Sequence, residues 1–112
     1  MHFNDTIVVK NIPGRNVIDD TPGSIRLHSS DDCSGRATKI VGEGDINFSS
    51  DESNTIKSMW LNEDTDLYIY NDENQTGNSF KLFSVIPYCV SVDNDLGGFD
   101  IRSAVVEHWD WT

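Results

Sequence analysis

Apolar residues along this chain come in short alternating runs, and the i, i+3, i+4, i+7 spacing of an amphipathic helix is missing. The runs are 6–12, 24–28, 36–41, 45–48, 55–61, 66–70, 79–86, 89–92 and 101–108, separated by clusters of Gly, Asn, Asp and Ser. Short strands about every ten residues are the signature of a β-sandwich or barrel. Pro13 with Gly14 and Pro22 with Gly23 read as turns. In the run 55–61, Trp60 alternates with Met59 and Leu61 and so is expected on the opposite face of its strand.

The pattern repeats. Residues 24–40 align without a gap on 66–82 at an offset of 42, which places Ile25 on Leu67, Leu27 on Ile69, His28 on Tyr70, Gly35 on Gly77 and Lys39 on Lys81. A second block, 54–61 on 99–106, aligns at an offset of 45 and places Ile56 on Ile101, Lys57 on Arg102 and Ser58 on Ser103. Each copy therefore reads as strand, Gly-containing hairpin, strand, loop, strand, Ser, strand. The Gly suits a hairpin position of positive φ. The Ser suits a hydroxyl folded back onto the hairpin backbone of its own copy.

Length and charge narrow the function. At 112 residues the chain fits one core. A net charge of −11 argues against nucleic acid, which needs a Lys/Arg excess, and against a polybasic membrane surface. No run reaches the roughly 20 apolar residues of a membrane span. The acidity permits calcium, basic partner surfaces, or solubility through self-repulsion. Cys33 and Cys89 are too few for a structural zinc site. They fit either a disulfide, contributing about 4 kcal/mol through loop closure, or two buried thiols. Asn4, Asn47 and Asn74 head glycosylation sequons, a weak pointer to secretion. His2, His28 and His108 accompany no nucleophile signature, no G-x-S-x-G elbow exists, and Gly42, Gly44, Gly97 and Gly98 lie beside acids rather than in a phosphate loop. A non-enzymatic protein is expected.

An aromatic, six residues, a Gly, then a distant Ser opening an apolar strand resembles the Greek-key motif of the βγ-crystallin family. Tyr70, Gly77 and Ser103 carry it in the second copy, and His28, Gly35 and Ser58 in the first, with His at the aromatic position. The resemblance spans about 24–107. It implies an all-β, βγ-crystallin-like sandwich of two Greek-key motifs, one about 24–62 and one about 66–108, within a single domain 24–112. Residues 1–23 form an N-terminal extension whose alternation predicts an added edge strand. Stretches 33–38 and 98–103 look most like secreted single-domain members of the killer-toxin type, and a metalloproteinase inhibitor shares their structural group. The resemblance thus implies an extracellular monomer that binds a partner protein or cell-surface glycan, its leader lying outside these residues, with a calcium-binding structural or stress protein and a protease inhibitor as alternatives. Trp109, Trp111 and the 29–34 hairpin are the candidate contact surface.

Many members of that family bind calcium through a stretch N/D-N/D-x-x-S/T-S, whose fifth position supplies a hydroxyl ligand. The residues that map on or beside it are Asn54, Thr55, Ser58, Asn71, Asp100 and Ser103. The fifth position, however, is Lys57 in one copy and Arg102 in the other. A cation there removes a ligand and repels the ion by several kcal/mol, about 4 at an effective dielectric of 20. Sliding the second copy by one makes Ser103 the ligand but misplaces the alternation after it. Both sites therefore read as disabled, and only weak calcium binding is expected, at the acidic loops Asp51, Glu52 and Asp93, Asn94, Asp95.

Overall fold

The structure is a computed structural model that describes residues 6–8, as backbone, and 20–109. Residues 9–12 of the first apolar run, the Pro13 turn and Trp111 lie outside the described residues. Among the described residues, nine strands form two sheets: β1 (Thr6–Val8), β2 (Ile25–His28), β3 (Lys39–Val41), β5 (Ser58–Leu61) and β8 (Tyr88–Ser91) in the order β1-β3-β2-β5-β8, and β4 (Gly44–Asn47), β6 (Thr65–Asp72), β7 (Thr76–Ser84) and β9 (Ser103–His108) in the order β4-β9-β6-β7. Thr6–Val8 runs parallel to β3 at the edge of the first sheet, and every other pairing is antiparallel.

The order exposes an exchange between the repeats. The first copy supplies β2, β3 and β5 to one sheet but sends its third strand, β4, to pair with β9 of the second copy. The second copy keeps β6, β7 and β9 and sends β8 to pair with β5 of the first. Each sheet thus needs a strand from the other copy, which couples the two motifs into one cooperative unit. The fold is the all-β sandwich of two Greek-key motifs that the resemblance implies.

Alternation decides which side chains meet between the sheets. Ile25 and Leu27, Met59 and Leu61, and Val90 point inward from the first sheet; Ile46, Leu67 and Ile69, and Ala104 and Val106 point inward from the second. Leu61, Leu67 and Ile69 lose all solvent contact. Trp60 falls on the outer face, half-buried, with the Arg26 guanidinium 5.2 Å from its ring centre and its indole N–H donated to Asn62 Oδ1 at 3.1 Å.

Two short helices depart from the helix-free pattern: α1 (Ser50–Thr55) and α2 (Val92–Leu96), each between the third and fourth strands of its copy. At six and five residues they are too short to display a 3.6-residue apolar period. Their caps are nonetheless legible. Ser49 and Glu52 form a capping box at the start of α1, while Ser91 caps α2 and Gly97, at φ 64°, ends it.

Lys39 on β3 pairs with Glu52 in the first turn of α1 and holds that carboxyl below its ordinary value of 4.5. A lowered folded-state value gives stability that is complete above about 4.5 and lost as the pH falls through the folded value. The Glu52 side chain is 42% exposed, so the contribution is under about 1 kcal/mol. Lys39→Met is therefore expected to melt slightly below the parent at pH 6 and level with it at pH 3, as followed by circular dichroism.

Candidate binding surface

The hairpin after the first strand of each copy folds back over its sheet, and one serine holds it. Ser58 Oγ donates to Ser30 O at 2.5 Å and accepts the Cys33 N–H at 2.8 Å. Ser103 Oγ donates to Asp72 O at 2.6 Å and accepts the Gln75 N–H at 2.9 Å. Counted from His28 and Tyr70, these are the same two hairpin positions. Both serines are fully buried. Their hydroxyls are spent on backbone groups that would otherwise go unpaired. Gly77 has φ +83°, and a Cβ there would stand 2.3 Å from Asn71 Oδ1; Gly35 has φ +75° with open space around it.

Each hairpin is also tied to the strand lent by the other copy. A disulfide joins Cys33 in the first hairpin to Cys89 on β8, which decides between the two states the sequence allowed. In the second hairpin, the Asn74 N–H donates to Asn47 Oδ1 at 2.8 Å, and Asn47 Nδ2 donates to Asn74 Oδ1 at 3.0 Å. The two hairpins, 29–34 included, are accordingly parts of the scaffold as well as of its surface.

The remaining calcium-motif residues fall in different places. Asn54 and Asp100 line a polar cleft of about 220 Å³ together with Ser53, Lys57 and Asp93. Within it Ser53 Oγ donates to Asp100 Oδ1 at 2.5 Å. Thr55 Oγ1 donates to Glu52 O, and Asn71 Oδ1 accepts the Asn78 N–H. Among the described residues, no three His, Cys, Asp or Glu side chains converge as a metal group.

Lys57 and Arg102 sit on the seam between the copies. Each donates its N–H to the end of its own first strand, at His28 O and Tyr70 O, and accepts at its carbonyl from the other copy, from Val92 N and Phe48 N. Arg102 also extends its side chain along that seam, with Nε on Phe48 O and a terminal nitrogen on Glu73 Oε1, both at 3.3 Å. A guanidinium thus already engages a carbonyl and a carboxylate of the kind an oxygen shell for calcium would use.

The exposed surface has a second singular region. Among the described residues, the exposed large hydrophobic residues are Phe80, Phe83, Val85, Ile86 and Tyr88, which all fall within nine residues, from β7 to the start of β8. Phe83 is 58% exposed and Ile86 73%. Scattered exposed apolar residues are ordinary, but five within one nine-residue segment, Phe80 on the core-side face of β7 against Phe99 and Phe83 on the outer face, mark that edge as a contact segment. Half-buried Trp109 lies beside Phe83, its ring edge-on at 6.4 Å, while its backbone N–H is donated to Asp64 O.

Sequence reasoning picked Trp109 but missed the rest. The signal was present: 79–86 pairs Leu82 with Phe83 and Val85 with Ile86, and a strand with one buried face cannot hide both members of such pairs. On the outer face beside this patch, Phe83 neighbours Asp66, which neighbours Glu107. Lys81 lies 5.3 Å from the Tyr68 ring centre, and the Tyr68 hydroxyl, then the Asp66 and Glu107 carboxylates, hold its ammonium above the ordinary value of 10.5.

No known protein family matches the chain, and no curated protein does. Solved structures do. One described by the evolution of the eye lens βγ-crystallin domain fold shares 19% identity at a TM-score of 0.60, over 85% of this chain and 96% of that one. Spherulin 3A from Physarum polycephalum shares 18% at 0.56, over 86% and 95%. A double mutant of a βγ-crystallin domain from Clostridium beijerinckii shares 15% at 0.54, over 77% and 98%. Similarity at this level establishes the fold, which is that of a βγ-crystallin domain.

Proposed function

We propose that the chain is a non-enzymatic, extracellular binding protein that docks on a partner protein or cell-surface glycan through the apolar surface of residues 80–88 and Trp109. The observation that carries this reading is that, among the described residues, every exposed large hydrophobic residue falls in that one segment. The Cys33–Cys89 disulfide fits an oxidising compartment. The buried hydroxyls of Ser24, Ser58, Ser84 and Ser103 all bond backbone carbonyls, which favours binding over nucleophilic chemistry. Of the secreted types that the sequence resembles, a killer-toxin or effector protein fits better than a protease inhibitor. An inhibitor presents a protruding loop to a cleft, whereas the 29–38 connection is held down by Ser58 and the disulfide. Labelled protein is expected to bind fungal, bacterial or plant cell surfaces saturably. Absence of saturable binding on all three, with no effect on their growth, contradicts the proposal.

A calcium-stabilised structural protein is the rival reading, and the positions of Lys57 and Arg102 oppose it. A site whose dissociation constant exceeds the calcium concentration adds less than about 0.4 kcal/mol. Melting curves in EDTA and in millimolar calcium are therefore expected to agree within about 2 °C. A rise of 10 °C or so would move the calcium reading to the front.

A further inference from the structure

We propose that β7 is a docking edge for an extended, basic segment of a partner polypeptide, which adds to the β4-β9-β6-β7 sheet as a further strand and lays its cationic side chains beside Phe83, toward Asp66 and Glu107. This rests on the binding reading above and supplies the partner's chemistry. Three observations carry it.

The first is the edge itself. Among the described residues β7 pairs with β6 alone, so alternate backbone N–H and C=O groups along its nine residues face outward. Seven of the nine residues are exposed. Soluble proteins blunt such edges with proline, bulges, short length or a charge over the open side. Here residues 76–84 contain no proline, and the one register shift is confined to the hairpin end, between Tyr70 and Asp72. The single charge on the strand, Lys81, lies back over Tyr68 of β6 rather than over the open side. An unprotected edge of this length is a template for strand addition.

The second is the apolar anchor. Phe83 on the outer face of the strand, Phe80 on its other face, and Val85 and Ile86 just beyond it offer contacts to both sides of an added strand.

The third is charge. Asp66 and Glu107 are direct cross-strand partners, half-buried and exposed respectively, and like charges so placed destabilise a sheet. Lys81 sets one positive charge near these two carboxylates, so a net negative charge remains beside the exposed Phe83 ring, which suits an incoming cation lying against that ring. The same charge disfavours a second copy as the occupant, since each chain carries −11.

The test uses the intact protein and three synthetic octapeptides: alternating arginine and valine, alternating glutamate and valine, and the arginine peptide N-methylated at alternate residues. Fluorescence anisotropy gives affinity, and amide hydrogen exchange by mass spectrometry locates the contact. The arginine peptide is expected to bind and to slow exchange in residues 76–84. The glutamate and N-methylated peptides are expected to bind at least about tenfold more weakly, as is the arginine peptide to an Asp66→Asn, Glu107→Gln variant, whose substitutions lie on the outer face and leave the fold intact by circular dichroism. Equal binding of the three peptides, or binding without protection of β7, overturns strand addition. Protection of β7 that grows with protein concentration in the absence of peptide assigns the edge to a second copy and overturns it too. Neither result touches cell-surface docking through the patch, which fails only if the labelled protein finds no surface or binds it independently of Phe83 and Ile86.

Discussion

Replacing Cys33 and Cys89 together by serine is expected to lower stability by about 4 kcal/mol and the melting temperature by roughly 15–20 °C. The two cysteines stand 56 residues apart, and loop-closure entropy at that separation gives the figure. The bond also acts locally. It fastens the first hairpin to the strand lent by the second copy, at a residue, Cys33, whose φ of 59° and whose N–H bond to Ser58 belong to the folded hairpin. The second hairpin has only the Asn47–Asn74 pair at the matching place. Reduction should therefore free exchange in residues 29–34 before it touches β6 and β9. Thermal melts of the parent, the reduced parent and the double variant check this. A loss under 1 kcal/mol would mean that the hairpin clamp and the strand exchange already confine the chain without the bond.

Asn62→Ala is expected to cost about 3 kcal/mol, because two partners, the fully buried Ser24 and the half-buried Trp60, lose their bonds at once. Asn62 is 2% exposed, at the junction of the copies. Its Nδ2 donates to Ser24 Oγ at 2.9 Å, and its Oδ1 accepts the Trp60 indole N–H at 3.1 Å. Its backbone carbonyl accepts from the hydroxyls of Thr65 and Ser84, contacts that the substitution leaves in place. The measured loss is thus that of the side chain alone. Urea denaturation should show a lower midpoint at an unchanged slope. Asn47→Ala, which breaks an exposed side-chain pair, should lose under about 1 kcal/mol and serves as the comparison.

The contrast between these two asparagines shows what a sequence of this kind conveys. Period-2 alternation placed the core because Ile25, Leu27, Met59, Leu61, Leu67 and Ile69 need only a buried face, which is a local property. The paired Ser58 and Ser103 were legible because the repeat puts them at one position twice. Asn62 was not, because an Asn between strands reads as a turn until Ser24 and Trp60 are brought to it. The state of Cys33 and Cys89 was open for a like reason: their proximity depends on β8 crossing to the first sheet. The helices hid in segments shorter than two turns. The β7–β8 surface was not fully legible because run 79–86 alternates like a half-buried strand, and only the fold shows that Phe83, Val85 and Ile86 all face solvent.

Residues 80–88 should serve contact and not the fold. The direct measurement compares the parent with the Phe83→Ser, Ile86→Ser variant in two assays, melting temperature and saturable cell-surface binding. Both side chains are more than half exposed, so the variant should melt within about 3 °C of the parent. Its binding should fall at least about tenfold, because apolar anchors dominate such contacts. Unchanged binding, or a variant that unfolds while its binding per folded molecule is retained, would contradict the claim.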